Sequence, residues 1–255
     1  MTKYYGLIGK PLDHSQSASH FNNKFKNMGI DAIYSLYPIE NIEKLPELIE
    51  ENPQLIGLNV TIPYKQQVWH YLNEVDFVAN MIGAVNTITI KRDAHGKTYL
   101  KGYNTDALGF EQSLKEVLKC TKCSIKALVL GTGGSAKAVK YVLRRLGIPY
   151  LSVDRYRIKS DQITYNYVTP YTIEECKLII NTTPLGMYPL WVDQAPLLPY
   201  ECLTPDHILY DLVYNPEITT FLQHGINHGS TIITGKKMFL YQAENAWKIW
   251  QKHQT

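Results

Sequence analysis

Apolar residues recur along the first hundred positions with two different periods. Short runs rich in β-branched and aromatic residues, at 5–8, 32–37, 56–61, 84–90 and 99–103, predict strands, each bounded by turn residues or helical spacing. Between the early runs the spacing predicts helices over 19–28, closed by Gly29, and over 45–51, closed before Pro53. Strand and helix in alternation predict an α/β layer around a largely parallel sheet. A second block of the same kind opens with Ile125-Lys126-Ala127-Leu128-Val129-Leu130 as a strand. Val139, Val142, Leu143 and Leu146 then mark a helix that stops at Gly147, with Pro149 just beyond. Further strands are predicted at 150–153, 178–181, 208–212 and 230–233. The last segment carries Phe239, Leu240, Ala243, Ala246, Trp247 and Trp250 at steps of three and four, an amphipathic helix whose apolar stripe serves packing.

This pattern predicts two lobes meeting near Thr105. The expected division is 1–104 with 238–255 as one domain and 105–237 as the other. A chain of 255 residues, 45% of them hydrophobic, has enough apolar side chains for two modest cores. The formal charge is only +3, and the densest basic cluster, Arg155-Tyr156-Arg157-Ile158-Lys159, is too short to make a nucleic-acid surface. The stretch Met1-Thr2-Lys3-Tyr4-Tyr5-Gly6 has no apolar signal core, and no apolar run approaches the roughly 20 residues that span a bilayer. A cytoplasmic protein without nucleic-acid or membrane partners is therefore expected. Cys120 and Cys123 form a Cys-x-x-Cys, but it precedes a strand rather than opening a helix after one, and no second ligand pair matches it. These read as incidental thiols.

The strand ending at Leu130 runs straight into Gly131-Thr132-Gly133-Gly134-Ser135-Ala136, and a helix follows. Gly131-x-Gly133-x-x-Ala136 fits a Rossmann fingerprint: Gly131 for the tight turn, Gly133 for close approach of the backbone to a pyrophosphate, and small Ala136 for helix against sheet. The helix N-terminus would offer amide groups and a positive dipole end to the anion. The next strand ends in Asp154-Arg155, at the distance where the ribose is read. An acid there bonds the 2′-hydroxyl of NAD, whereas an Arg holds the 2′-phosphate of NADP, so the two residues give opposed signals.

Three polar clusters in the first lobe are poor core material. His14-Ser15-Gln16-Ser17 follows the first strand, Asn59-Val60-Thr61-Ile62-Pro63-Tyr64-Lys65 ends another and is expected to open a helix, and Gly102-Tyr103-Asn104-Thr105-Asp106 spans a third passage from strand to helix. Ligands collect beyond the carboxyl ends of strands in open α/β sheets, so these clusters are expected to converge.

With Gly83-Ala84-Val85-Asn86-Thr87, the glycine loop, Asn181-Thr182-Thr183-Pro184-Leu185-Gly186-Met187, Tyr210-Asp211-Leu212-Val213-Tyr214-Asn215-Pro216, Gly235-x-x-Met238 and Gln242-Ala243, they occur in an order that closely resembles the shikimate dehydrogenase family. The resemblance covers nearly the whole chain and implies an N-terminal α/β substrate domain beside a Rossmann domain with a doubly wound parallel sheet. It implies reversible reduction of 3-dehydroshikimate to shikimate with NADPH, in aromatic amino-acid precursor synthesis, without a metal. By position Lys65 and Asp106 correspond to the catalytic pair, and Ser15 and Ser17 to the serines that hold the substrate carboxylate. Asn59, Thr61, Asn86, Tyr214 and Gln242 correspond to groups around the ring hydroxyls. Gly131, Gly133, Gly134, Ser135, Ala136, Asp154, Arg155, Thr182, Thr183, Gly235 and Met238 correspond to the cofactor site. The family's usual Pro and His in the first helix are Ala18 and Phe21 here, changes that touch helix packing more than the serine hydroxyls.

Elementary chemistry agrees with the pair. A secondary alcohol that loses hydride leaves an O–H proton for a positioned base, and the reverse step needs an acid in the same place. An ammonium at a helix start meets the positive dipole end, which favours the neutral amine, and a neighbouring carboxylate opposes that. Taken singly, Thr105-Asp106 reads as an N-cap with an acidic first turn, Ser15 or Ser17 as caps, Lys65 as a solvated charge, Tyr214 as a half-buried core aromatic and Gln242 as exposed. NADP is the expected cofactor because Arg155 is present. An NAD-preferring quinate/shikimate dehydrogenase and a non-catalytic ligand-binding protein are the alternatives, and monomer and homodimer both stay open.

Overall fold

A computed structural model of the chain describes residues 2–13, 15–118, 125–156 and 162–253. His14, Cys120, Cys123, Arg157 and Lys159, named above, lie outside the described residues. The chain divides into two compact units, Met1–Thr105 with Ala243–Thr255, and Asp106–Gln242. Among the described residues no helix is long and apolar enough to cross a membrane.

The first unit runs β1 (Lys3–Gly9), α1 (Ser17–Met28), β2 (Ala32–Pro38), α2 (Leu45–Glu51), β3 (Leu55–Val60), β4 (Glu74–Val75), α3 (Phe77–Ile82), β5 (Thr87–Arg92) and β6 (Thr98–Tyr103). Its sheet has the order β2-β1-β3-β5-β6-β4. Alternation along β1 sends Tyr5 and Leu7 to one face and Ile8 to the other. On the first face Tyr5, Phe21, Phe25 and Tyr34 pack with Ala243, Ala246, Trp247 and Trp250 from the end of the chain. The Trp250 indole donates to the Ile88 carbonyl (3.0 Å) and lies so close to β3 that a Cβ on Gly57 would fall 2.5 Å from its Nε1. Leu45, Ile49, Leu55, Leu58 and Val60 join Ile8 on the second face. At the edge strand β2, Asn22 of α1 donates to the Tyr34 carbonyl (2.9 Å) and accepts from its N–H (2.8 Å), covering part of a free ladder edge.

This sheet is largely parallel, as expected, with β2, β1, β3, β6 and β4 running the same way, and the one exception is β5, antiparallel to both β3 and β6. The cause is local: β5 and β6 are joined by a short turn in which Asp93 accepts the amides of His95 and Lys97, with Gly96 at φ +80°. A parallel partner needs a crossover of a dozen or more residues. The strand expected over 84–90 accordingly starts only at Thr87, after Gly83 has ended α3 in the left-handed region.

The second unit runs α4 (Asp106–Leu118), β7 (Ala127–Leu130), α5 (Gly134–Arg145), β8 (Tyr150–Asp154), β9 (Gln162–Thr164), α6 (Pro170–Glu175), β10 (Leu178–Asn181), β11 (Ile208–Asp211), α7 (Thr220–Asn227) and β12 (Thr231–Ile233). From there α8 (Gly235–Lys252) carries the chain back to the first unit. All pairings are parallel, in the order β9-β8-β7-β10-β11-β12. That is the 3-2-1-4-5-6 order of the doubly wound Rossmann sheet, whose direction of winding reverses between β7 and β10.

Candidate functional site

In the first unit the polar clusters meet along one sheet edge. The segments after β1 and β3 are zipped together, with Thr61 N–H donating to the Ile8 carbonyl (2.9 Å) and Lys10 N–H to that of Ile62 (3.0 Å). Gly9 permits this, since a Cβ there would fall 2.3 Å from the Thr61 methyl. Because β5 is antiparallel, its start lies at the same edge: Asn86 accepts the Val60 amide through its carbonyl (2.8 Å), and its N–H reaches the Tyr103 carbonyl (3.0 Å). The Lys65 carbonyl accepts the Val85 N–H (2.7 Å), so the turn bearing Lys65 is pinned beside Asn86.

Beneath this edge lies a buried polar network. The Tyr34 hydroxyl donates to Asn59 Oδ1 (2.8 Å), and the Asn59 amide donates to the Asn86 carbonyl and to Thr87 Oγ1, each at 3.1 Å. Asn86 in turn donates to Thr105 Oγ1 (3.0 Å) and accepts the Thr105 N–H (2.7 Å). Asn104 donates to the Ala84 carbonyl (2.9 Å). The Asn59 amide thus fixes β3 against β5. Thr105 is held in the same way, and Asp106, the next residue, is buried at the first position of α4.

Two sequence readings change here. Lys65 does not open an α-helix: it lies in a run of turns followed by a single short 3₁₀ segment, Gln67–Tyr71. Tyr64 and Val68 are both buried at helical spacing, which imitates a helix in the sequence, but the aligned peptides that build a macrodipole are missing. Neither serine caps α1 in the usual sense. Its N-cap is Gln16, without a side-chain cap, while Ser15 Oγ accepts the Ser17 N–H (3.3 Å) in a local turn. The buried Ser17 occupies the first helical position.

In the second unit Gly131 follows β7 at φ +106°, where glycine is favoured, and a Cβ would meet Thr182 Oγ1 at 2.7 Å. Gly133 caps α5, and a Cβ there would point into open space, the room through which a pyrophosphate can approach the loop backbone. Gly134 and Ser135 form the first turn of α5, and Ala136 is fully buried behind it. Thr182 reaches back to the Leu130 carbonyl through its N–H (3.0 Å) and hydroxyl (2.5 Å). The residues therefore fit a dinucleotide on a helix N-terminus at the switch point of the sheet. At the end of β8 the Asp154 carboxylate accepts the Thr132 hydroxyl (2.8 Å) and the Arg155 N–H (2.6 Å), while the Arg155 side chain is exposed. Burial and then the neighbouring Asp154 charge push the Tyr165 phenol up to about 12.

The loops after β10 and β11 are joined by a buried pair. Asn181 donates to Asp211 Oδ1 (3.0 Å) and to the Leu185 carbonyl (3.1 Å), and its oxygen accepts the N–H (3.0 Å) and hydroxyl (2.7 Å) of Thr183. Asp211 also accepts the Val213 N–H (2.9 Å) and the Thr219 hydroxyl (2.6 Å). Burial pushes the Asp211 carboxyl up to about 7, against the pull of these three donors. Tyr214 packs against Phe239 in a tilted ring pair with centroids 4.6 Å apart. Gly235 starts α8 directly under the Leu212 and Val213 carbonyls, leaving no room for a Cβ, and Met238 is buried one turn on. Gln242 lies where α8 crosses Gly109 of α4, its backbone nitrogen 2.9 Å from where a Cβ on Gly109 would sit. Sequence reasoning gave no roles to Thr132, Asn181, Asp211 and Thr219. Thr132, Asn181 and Asp211 did stand inside the motifs named above, which was the available signal.

Residues 7–88 match the family model described as the shikimate dehydrogenase substrate binding domain. The shikimate dehydrogenase (NADP(+)) of Halothermothrix orenii is 35% identical over 98% of this chain and 91% of its own length. A crystal structure of shikimate 5-dehydrogenase from Thermus thermophilus, in complex with NADP(H) and shikimate, superposes with a TM-score of 0.80 at 29% identity, covering 98% of this chain and 93% of that one. The quinate dehydrogenase of Corynebacterium glutamicum in complex with NAD gives a TM-score of 0.82 at 27% identity over 98% and 93% of the two chains.

Proposed function

The chain belongs to the shikimate dehydrogenase family, and from that premise we propose that it catalyses the reversible NADPH-dependent reduction of 3-dehydroshikimate to shikimate, in the cytoplasm. The observation that carries the reading is the sheet edge at which Thr61, Lys65 and Asn86 are gathered, with Asn86 tied to Thr105, the residue before Asp106. Bound NADPH supplies the hydride. A ketone that takes hydride at carbon becomes an alkoxide that requires a proton at oxygen, and the Lys65 ammonium is the group assigned to give it. Asp106 is assigned as the carboxylate of the catalytic pair, and in the oxidative direction neutral Lys65 takes the hydroxyl proton. Ser15 and Ser17 anchor the substrate carboxylate. Thr61, Asn86, Tyr214 and Gln242 address the ring hydroxyls, because a site built from hydroxyl and amide groups rejects analogues that leave them unpaired. Asn59 supports these residues from below. Gly131, Gly133, Gly134 and Ser135 take the pyrophosphate, with Ala136 seating the helix behind them, Arg155 takes the 2′-phosphate, and Thr182, Thr183, Gly235 and Met238 complete the cofactor site.

The test is the appearance of the reduced nicotinamide band when shikimate and NADP are mixed with the protein; no turnover with shikimate and either dinucleotide refutes the proposal. Asp154 favours a second reading, an NAD-preferring enzyme that also oxidises quinate. That reading requires a higher kcat/KM with NAD than with NADP, and turnover of quinate in the same assay.

A further inference from the structure

An acid at the end of the second strand of a Rossmann sheet recognises NAD by accepting the ribose 2′-hydroxyl, which needs a carboxylate oxygen turned toward the ribose. In this chain both oxygens are already engaged by the protein. Asp154 Oδ1 accepts the Arg155 N–H at 2.6 Å and Oδ2 accepts the Thr132 hydroxyl at 2.8 Å. The second bond joins the residue between Gly131 and Gly133 to the end of the adjacent strand β8, so it draws the carboxylate toward the glycine loop. The Arg155 side chain keeps its exposure beside it.

We infer that Thr132 is a specificity-determining residue of the dinucleotide site: by anchoring Asp154 to the glycine loop, it withholds the carboxylate from a ribose 2′-hydroxyl and keeps that negative charge back from a 2′-phosphate held by Arg155. The inference rests on reading this loop as a dinucleotide site. It resolves the opposed signals of Asp154 and Arg155, because an acid committed to the loop neither rewards NAD nor repels NADP at full strength. Hydrogen bonds to charged groups are the stronger kind, so losing this one has a measurable effect on an acid that is free to turn.

Binding is the readout, since it needs no turnover. Dissociation constants for NADP+ and for NAD+ are measured by calorimetry on the unmodified protein and on Thr132→Val, which keeps the side-chain shape and removes the hydroxyl. The same is done for Thr132→Ser and for Thr132→Val in an Asp154→Asn background. Thr132→Val should move the ratio of the two constants toward NAD by about tenfold or more, the scale of a hydrogen bond to a carboxylate. Thr132→Ser should keep the original ratio, and in the Asp154→Asn background the Val substitution should shift it far less, because the two residues act as a coupled pair. An unchanged ratio in Thr132→Val overturns the inference, as does a shift that persists without the Asp154 charge. An unmodified protein that binds neither dinucleotide overturns the reading of the loop itself, and the inference with it.

Discussion

Asp211 sets two physical effects against each other, and replacing it by Asn decides which one governs. Its carboxyl is buried in the second unit, and that burial pushes its pKa up to about 7, while Asn181, Val213 and Thr219 donate to it and favour the charged form. In the unfolded chain the same group titrates near 4. Between those values the folded protein holds a proton that the unfolded chain has released. The stability conferred is therefore fully present below about pH 4 and is lost as pH rises toward about 7. At about 1.4 kcal/mol per pH unit, the unmodified protein should lose about 3 kcal/mol between about pH 5 and pH 8 that Asp211→Asn, with no proton to exchange there, does not lose. The Asn side chain keeps one acceptor oxygen and gains an NH₂, so it resembles the neutral acid. The gap between the two proteins should consequently be widest at the higher pH.

Urea unfolding followed by circular dichroism at several pH values measures this gap, provided the denaturant slope stays equal for the two proteins. Parallel stability curves across the range would mean that the carboxyl is not raised. A gap that changes in the opposite direction would mean that three hydrogen bonds outweigh desolvation, and it would refute the reasoning.

Lys65→Ala should lower kcat by about two decades or more, with dinucleotide binding nearly intact; unchanged turnover removes Lys65 from the proton transfer. Ser15→Ala and Ser17→Ala should mainly raise KM for shikimate, because a carboxylate remote from the reacting carbon is held about equally in the ground and transition states. A loss confined to kcat would place the serines in the chemistry instead. Arg155→Ala should weaken NADP and spare NAD, by about tenfold or more in the ratio of their kcat/KM values, whereas an equal loss for both dinucleotides would deny Arg155 the 2′-phosphate. Gly57→Ala should destabilise the first unit by about 1–3 kcal/mol, read as a fall in its unfolding midpoint, because the new methyl overlaps the Trp250 indole, itself fixed by the Ile88 carbonyl.

What could be read from the sequence, and what could not, follows from the range over which each structural cause acts. The glycine loop was legible because its determinants lie within a few positions. A β-rich run ends at Leu130, Gly131 takes a positive φ, and the helix starts as soon as the turn is made. The direction of β5 escaped a periodicity that describes faces but not sense; the short turn around Asp93 and Gly96 was the better signal, since a hairpin cannot be a crossover. The helix expected at Lys65 does not form, because Tyr64 and Val68, buried at a spacing of four, are accommodated by turns and one 3₁₀ segment. Asn59 shows a further limit. An amide at the end of an apolar strand reads equally well as a ligand or as a member of a network, and only Tyr34, Thr87 and the Asn86 carbonyl, brought in from β2 and the start of β5, decide for the network. The pairs Thr132 with Asp154 and Asn181 with Asp211 are still harder to see, because neighbouring strands of a parallel sheet are joined through a helix or a long connection. A motif therefore finds residues whose work is done by their own backbone. The residues that hold those motifs in register act through side chains that only the folded sheet brings together, as Thr132 and Asp154 do beside the glycine loop.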